Sequence, residues 1–165
     1  MPTTRTTVLP GDGGEQADLS PVERARVTAD AVYRAALDTW HHHDRNSRLV
    51  GKPTIEAEQR IARDMCRLCD EALTQMCVAY EAAARKLQPG ADDMEWWHKA
   101  NALWHGAREY LRRHAGCDRL TSRVSAHSAD DLGELLLEFD LEASAVLALR
   151  QAAEAYRNAR PGLVA

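Results

Sequence analysis

Apolar positions in this chain recur by threes and fours in four stretches, separated by residues that start and stop helices. The first stretch opens at Ser20-Pro21-Val22-Glu23, which supplies an N-cap hydroxyl, a proline at the first helical position and a capping-box glutamate. Val22, Ala25, Ala29, Val32 and Ala36 carry its stripe, and Asp44-Arg45-Asn46-Ser47 is expected to end it. Thr54 reads as the N-cap of a second helix reaching about Leu87. Its seam is Ala62, Cys66, Cys69, Leu73, Met76, Tyr80, Ala83 and Leu87, and Pro89-Gly90 stops it. Asp92 opens a third helix, with Glu95 in the box position, a seam of Trp96, Ala100, Leu103, Ala107, Tyr110 and His114, and Gly116 as its C-terminal cap. Residues 117–127 read as a loop or a short irregular helix. Ser128, with Asp131 three positions on, begins a fourth helix that runs to about Arg160, before Pro161-Gly162.

Short connections between such helices favour antiparallel neighbours. The expected fold is therefore all-α: an up-down-up-down four-helix bundle over residues 19–160, with a disordered N-terminal tail at 1–18 and a C-terminal tail at 161–165. The tail at 1–18 combines Thr, Pro, Gly and acidic residues without periodicity, too little apolar surface to offset the entropy of ordering. In the fourth helix the seam is read as Leu132, Leu135, Phe139, Val146, Leu149, Ala153 and Tyr156. Leu136, Leu137, Leu141 and Leu147 make other faces apolar as well. A helix apolar around most of its circumference either sits centrally or offers a second face to a partner, so a homo-oligomer or a partner protein bound through this helix is expected.

Composition narrows the classes. Net charge is −4, so no global positive field gathers polyphosphate or anionic lipid, and nucleic acid is not the expected partner. The first twenty residues lack the apolar core of a signal peptide, and no run of 18 apolar residues offers a membrane span. A cytoplasmic location with four reduced cysteines is the expectation. The richness in Ala and Arg suits a bacterial coding sequence of high GC content.

The predicted topology gathers residues that are distant in sequence. The C-terminal ends of helices one and three meet the N-terminal ends of helices two and four, bringing together His41, His42, His43, Arg112, Arg113, His114, Arg119, Arg123 and His127, with Glu56, Glu58, Asp130, Asp131 and Glu134. Cations at helix C-termini and acids at N-termini are what the macrodipole favours in any case. Two kinds of chemistry are also open there. His43 and His114 with Glu58 or Asp131 form a candidate site for a transition metal, zinc, iron or manganese by ligand type. Arg112, Arg113 and Arg119 are candidates for an anion.

Smaller motifs add little. Glu95-Trp96-Trp97-His98 resembles the Glu-x-x-His unit of carboxylate-bridged di-iron bundles, but occurs once where such a site needs it twice. Cys66-Arg67-Leu68-Cys69 lies about three turns inside a helix, not at the helix start where a redox Cys-x-x-Cys has its thiol activated. No catalytic residue is assigned. Glu142 is the residue of most interest: the spacing that buries Phe139 and Val146 buries it too, where a carboxylate must be paired, ligated or protonated. The alternative phase, which is favoured, places Glu134, Glu138 and Glu142 in an exposed acidic row with Ala143 inward. If Glu142 turns inward, a bundle Arg, His or Tyr should meet it, with Tyr33 and Tyr80 available on seams. The expected function is that of a non-enzymatic bundle acting through protein association, self-association first; the alternative is a metal-binding protein or metal-dependent enzyme with its site at the histidine-rich end, and after it anion or nucleic-acid binding at the same end.

Overall fold

The capping box forms as the sequence dictates: Ser20 N–H donates to Glu23 Oε2 at 3.0 Å and Glu23 N–H to Ser20 Oγ at 3.3 Å. From this start the computed structural model, which describes residues 19–49, 56–123 and 129–160, runs through four long helices. They are α1 (Pro21–Leu49), α2 (Glu56–Ala84), α3 (Met94–Arg123) and α4 (Ala129–Asn158). A single 3-10 turn, Ala91–Asp93, precedes α3. The expected caps Thr54 and Ser128, together with His127 and the two tails, lie outside the described residues.

Three boundaries differ from the sequence reading. Helix α1 continues past Asp44, its last turns tied by Ser47 Oγ–H to the His43 carbonyl at 2.9 Å and by Arg48 to Asp44 at 2.8 Å. Helix α2 stops at Ala84, and a tighter turn, with Leu87 N–H on the Ala84 carbonyl at 3.0 Å, carries the chain on to Leu87. Gly116 is not a cap. It is buried inside α3, which continues to Arg123 because Cys117, seven residues beyond Tyr110, extends the inward stripe.

The core alternates alanine with tyrosine. Ala25, Ala29, Ala36, Ala100, Ala107 and Ala153 let the helices approach closely, while Tyr33, Tyr80, Tyr110 and Tyr156 fill the space between them and are almost wholly buried. A buried phenol needs a partner. Tyr80 O–H donates to Asn101 at 3.0 Å, Tyr110 O–H to Asp70 at 3.1 Å and Tyr156 O–H to Asp30 at 2.6 Å, so three tyrosines tie neighbouring helices together. Arg160 joins the last of these, reaching Asp30 Oδ2 at 2.7 Å and clasping the end of α4 to α1.

Packing is closest within the hairpins α1–α2 and α3–α4, and thinner where α1 meets α4 and α2 meets α3. Arg26 of α1 bonds to Asp93 just before α3, and Tyr156 near the end of α4 meets Asp30 in the first half of α1. Helices α1 and α3 are therefore parallel, α2 and α4 run the other way, and the bundle is up-down-up-down. No helix among the described residues is long and apolar enough to cross a membrane.

Candidate functional site

Toward the end of the bundle where α1 and α3 finish, one ionisable side chain from each helix turns inward: His43, Asp70, His114 and Glu142. Glu142 is buried on α4, on the same line as Leu135, Val146, Leu149, Ala153 and Tyr156. This corrects the favoured phase of the fourth helix. Ala143 is exposed, and of the supposed acidic row Glu134 is exposed, Glu138 half-buried and Glu142 buried. Leu132 and Phe139, read as seam residues, lie on the outside instead, 50% and 43% exposed. Four-residue spacing drifts around a helix by about 40° per step, so the three glutamates fan from solvent to core.

Of the Arg, His or Tyr anticipated for an inward Glu142, it is histidines that meet it, and not the seam tyrosines Tyr33 and Tyr80. His114 Nδ1–H donates to its Oε1 at 2.5 Å, His43 Nε2 stands 3.7 Å from the same oxygen, and the Cys117 thiol donates to the carboxylate as well. The other nitrogen of His114 is also engaged, with Nε2 3.2 Å from Asp70 Oδ2 and 3.9 Å from Asp118. Tyr110 stacks on the His114 ring at 5.7 Å between centroids while its hydroxyl holds Asp70. An imidazole fixed between two carboxylates keeps its proton: the Glu142 bond, opposed by burial and assisted by Asp70, raises His114 to about 9. Burial pushes Glu142 upward, but the bonds from His114, His43 and Cys117 more than reverse this and leave it well below the usual carboxylate range. Asp70 moves the opposite way, raised mainly by burial. Burial, with the bond to Glu142, pushes the Cys117 thiol up to about 12.

The histidines proposed for a metal thus meet carboxylates, though not those expected. Glu58 and Asp131 are exposed, at the outer starts of their helices, because the gathering lies several turns deeper in the bundle. Among the described residues no set of three or more His, Cys, Asp or Glu side chains is disposed to hold a metal, and the two carboxylates already occupy both nitrogens of His114. Of the arginines considered for an anion, Arg112 and Arg113 both grip Glu109, at 2.6 and 2.8 Å, and Arg113 also reaches Glu138 at 3.3 Å. Arg119 is exposed on α3, on a helix and not in a loop. Glu95 and His98 are exposed, and Cys66 and Cys69 are half-buried with thiols raised by burial.

Sequence reading passed over Asp70 altogether. Its signal was weak but present: it sits four residues after Cys66 and three before Leu73, beside a seam in a stretch otherwise free of inward charge. The polar cluster borders an open groove of about 800 Å³ between α2 and α3, lined by Cys66, Asp70, Thr74, Leu111, His114 and Asp118 among others.

A second feature lies on the outside of the same end. Leu132 (50%), Leu136 (57%), Phe139 (43%) and Leu147 (55%) are exposed along α4, with exposed Ala143 completing the line. Beyond it Arg150 covers the Trp40 ring of α1 at 4.6 Å. On α2, Ile61, Met65 and Leu68 are exposed as well. In comparison with known proteins the chain matches no family, no curated protein and no solved structure.

Proposed function

We propose that this protein works by association, and first with a second copy of itself, through the outer face of α4. One observation carries the reading: four large apolar side chains and an alanine line one exposed face of a single helix over about four turns. Together they leave on the order of 450 Å² of apolar surface in contiguous array, the size of the largest patch on a typical monomer, which is often a functional one. Hydration of such a face is unfavourable by about 25 cal/mol per Å², and association relieves it.

The polar cluster supports the same reading by its internal pairing. His114 is held from both sides and stays protonated, so it is unsuited to act as a base; it reads as the internal brace that sets the rotation of α4 and thereby turns the leucines outward. Sedimentation equilibrium at micromolar concentrations tests the proposal. The wild-type chain is expected to associate reversibly, and Leu136→Glu, which alters an exposed position, to sediment as a monomer with unchanged far-ultraviolet circular dichroism. A wild-type chain that stays strictly monomeric across that range would sink it.

A further inference from the structure

The exposed stripe is nearly a palindrome. At about 100° per residue, Leu132, Leu136, Phe139, Ala143 and Leu147 fall within an arc of about 80° on one side of the inward line through Glu142. Reflected about the midpoint between Phe139 and Asp140, Leu132 exchanges with Leu147, and Leu136 with Ala143. A helix with such a pattern is complementary to itself when the copy runs in the opposite direction. Large then meets small at Leu136 and Ala143, leucine meets leucine at the two ends, and the two Phe139 rings lie side by side at the centre.

We infer that the partner of this face is the α4 of a second copy, packed antiparallel in an isologous dimer whose twofold axis passes between Phe139 and Asp140. This rests on the self-association reading above and specifies its geometry. Direction follows from the helix dipoles and from shape. Of the exposed charges on α4, Asp140 stands beside the stripe and Arg150 and Glu154 continue its line, bonded to each other at 3.1 Å. Antiparallel packing opposes the two macrodipoles and sets Leu136 against Ala143; parallel packing aligns the dipoles and sets Leu136 against its own copy. Area follows as well. Two stripes of this size, with the polar side chains at their rims, bury on the order of 1,000 Å², about what a specific interface requires.

The arrangement has one repulsive element. Asp140 stands at the edge of the stripe beside the axis, so the two copies face each other there. Neutralising it without changing its shape, by Asp140→Asn, is expected to tighten the dimer several-fold, whereas Leu136→Glu is expected to weaken it by tenfold or more. Orientation is read separately by thiol cross-linking of full-length chains, with linked peptides identified by mass spectrometry so that the native cysteines are distinguished. Leu132→Cys mixed with Leu147→Cys should yield the link between those two positions, and Leu132→Cys alone should not link to itself. A dimer that cross-links Leu132→Cys to its own copy, or that is indifferent to both Leu136→Glu and Asp140→Asn, overturns the antiparallel packing while leaving self-association standing. A monomeric wild-type chain overturns both.

Discussion

Among the side chains, His114 decides most. It is bonded to Glu142 on one side and faces Asp70 on the other, so replacing either anion or the imidazole strands charge in a low-dielectric interior. Glu142→Gln is expected to cost on the order of 3 kcal/mol in urea unfolding, the lower end for removing one partner of a buried pair. The pH dependence has a definite sign. His114 binds its proton more tightly in the folded chain, at about 9, than at its ordinary 6.5. The stability it contributes is therefore complete below about 6.5 and is lost as pH rises through about 9. Glu142 is depressed, so its contribution is present above its ordinary 4.5 and is lost as pH falls below that. Around His114 stand His43 from α1, Cys66 and Asp70 from α2, Tyr110, Cys117 and Asp118 from α3, and Glu142 from α4; the Cys117 thiol, at about 12, stays protonated through this window. Unfolding free energies measured from pH 6.5 to 9 should decline in the wild-type chain and stay flatter in His114→Gln. Equal slopes in the two would assign the titration to another group.

The helices differ in how firmly they are held. From Glu56 to Ala72, α2 has no buried residue; Leu73, Cys77, Tyr80 and Ala83 then bury in regular succession. Amides near residues 60–69 should exchange with solvent at least about tenfold faster than those at 73–83, since local opening there exposes little apolar surface. Equal protection along α2 would mean that something beyond the monomer covers its first half. The helices themselves were legible in the sequence, because caps, breakers and stripes agreed with one another. The Ser20 box is one case, and the inward line from Ala100 through Leu103, Ala107 and Tyr110 is another. Helix α4 was not legible in its rotation. With leucines on nearly every face, its apolar pattern fits several phases, and only the His114 and His43 partners across the core select the one that buries Glu142. Counting which helix ends the topology brings together points to His43 and His114. The same count, which ignores depth along the bundle, also points to Glu58 and Asp131 and passes over Asp70. Gly116 misled because glycine so often ends a helix. Here a Cβ would come within 2.8 Å of the Glu138 carboxylate, so the glycine accommodates a neighbour and does not end the helix.

For the molecule as a whole, the surface is divided by role. One side of the bundle's His-bearing end opens the polar groove between α2 and α3, and α4 presents its leucines elsewhere on the same end. The opposite end is closed by Arg26 on Asp93 and by Arg160 and Tyr156 on Asp30. The closer packing within α1–α2 and within α3–α4 than between them also has a bearing on how the chain is made. Most of the structure joins residues near in sequence, so the main phase of refolding after dilution from urea should fall within milliseconds in stopped-flow fluorescence of the tryptophans; a main phase lasting seconds would contradict that. During synthesis the α1–α2 pair can form while α3 is still being added. Its inner alanines and Val32 then stay uncovered until the second pair arrives, which makes the newborn half-protein, more than the finished one, the species most in need of a chaperone.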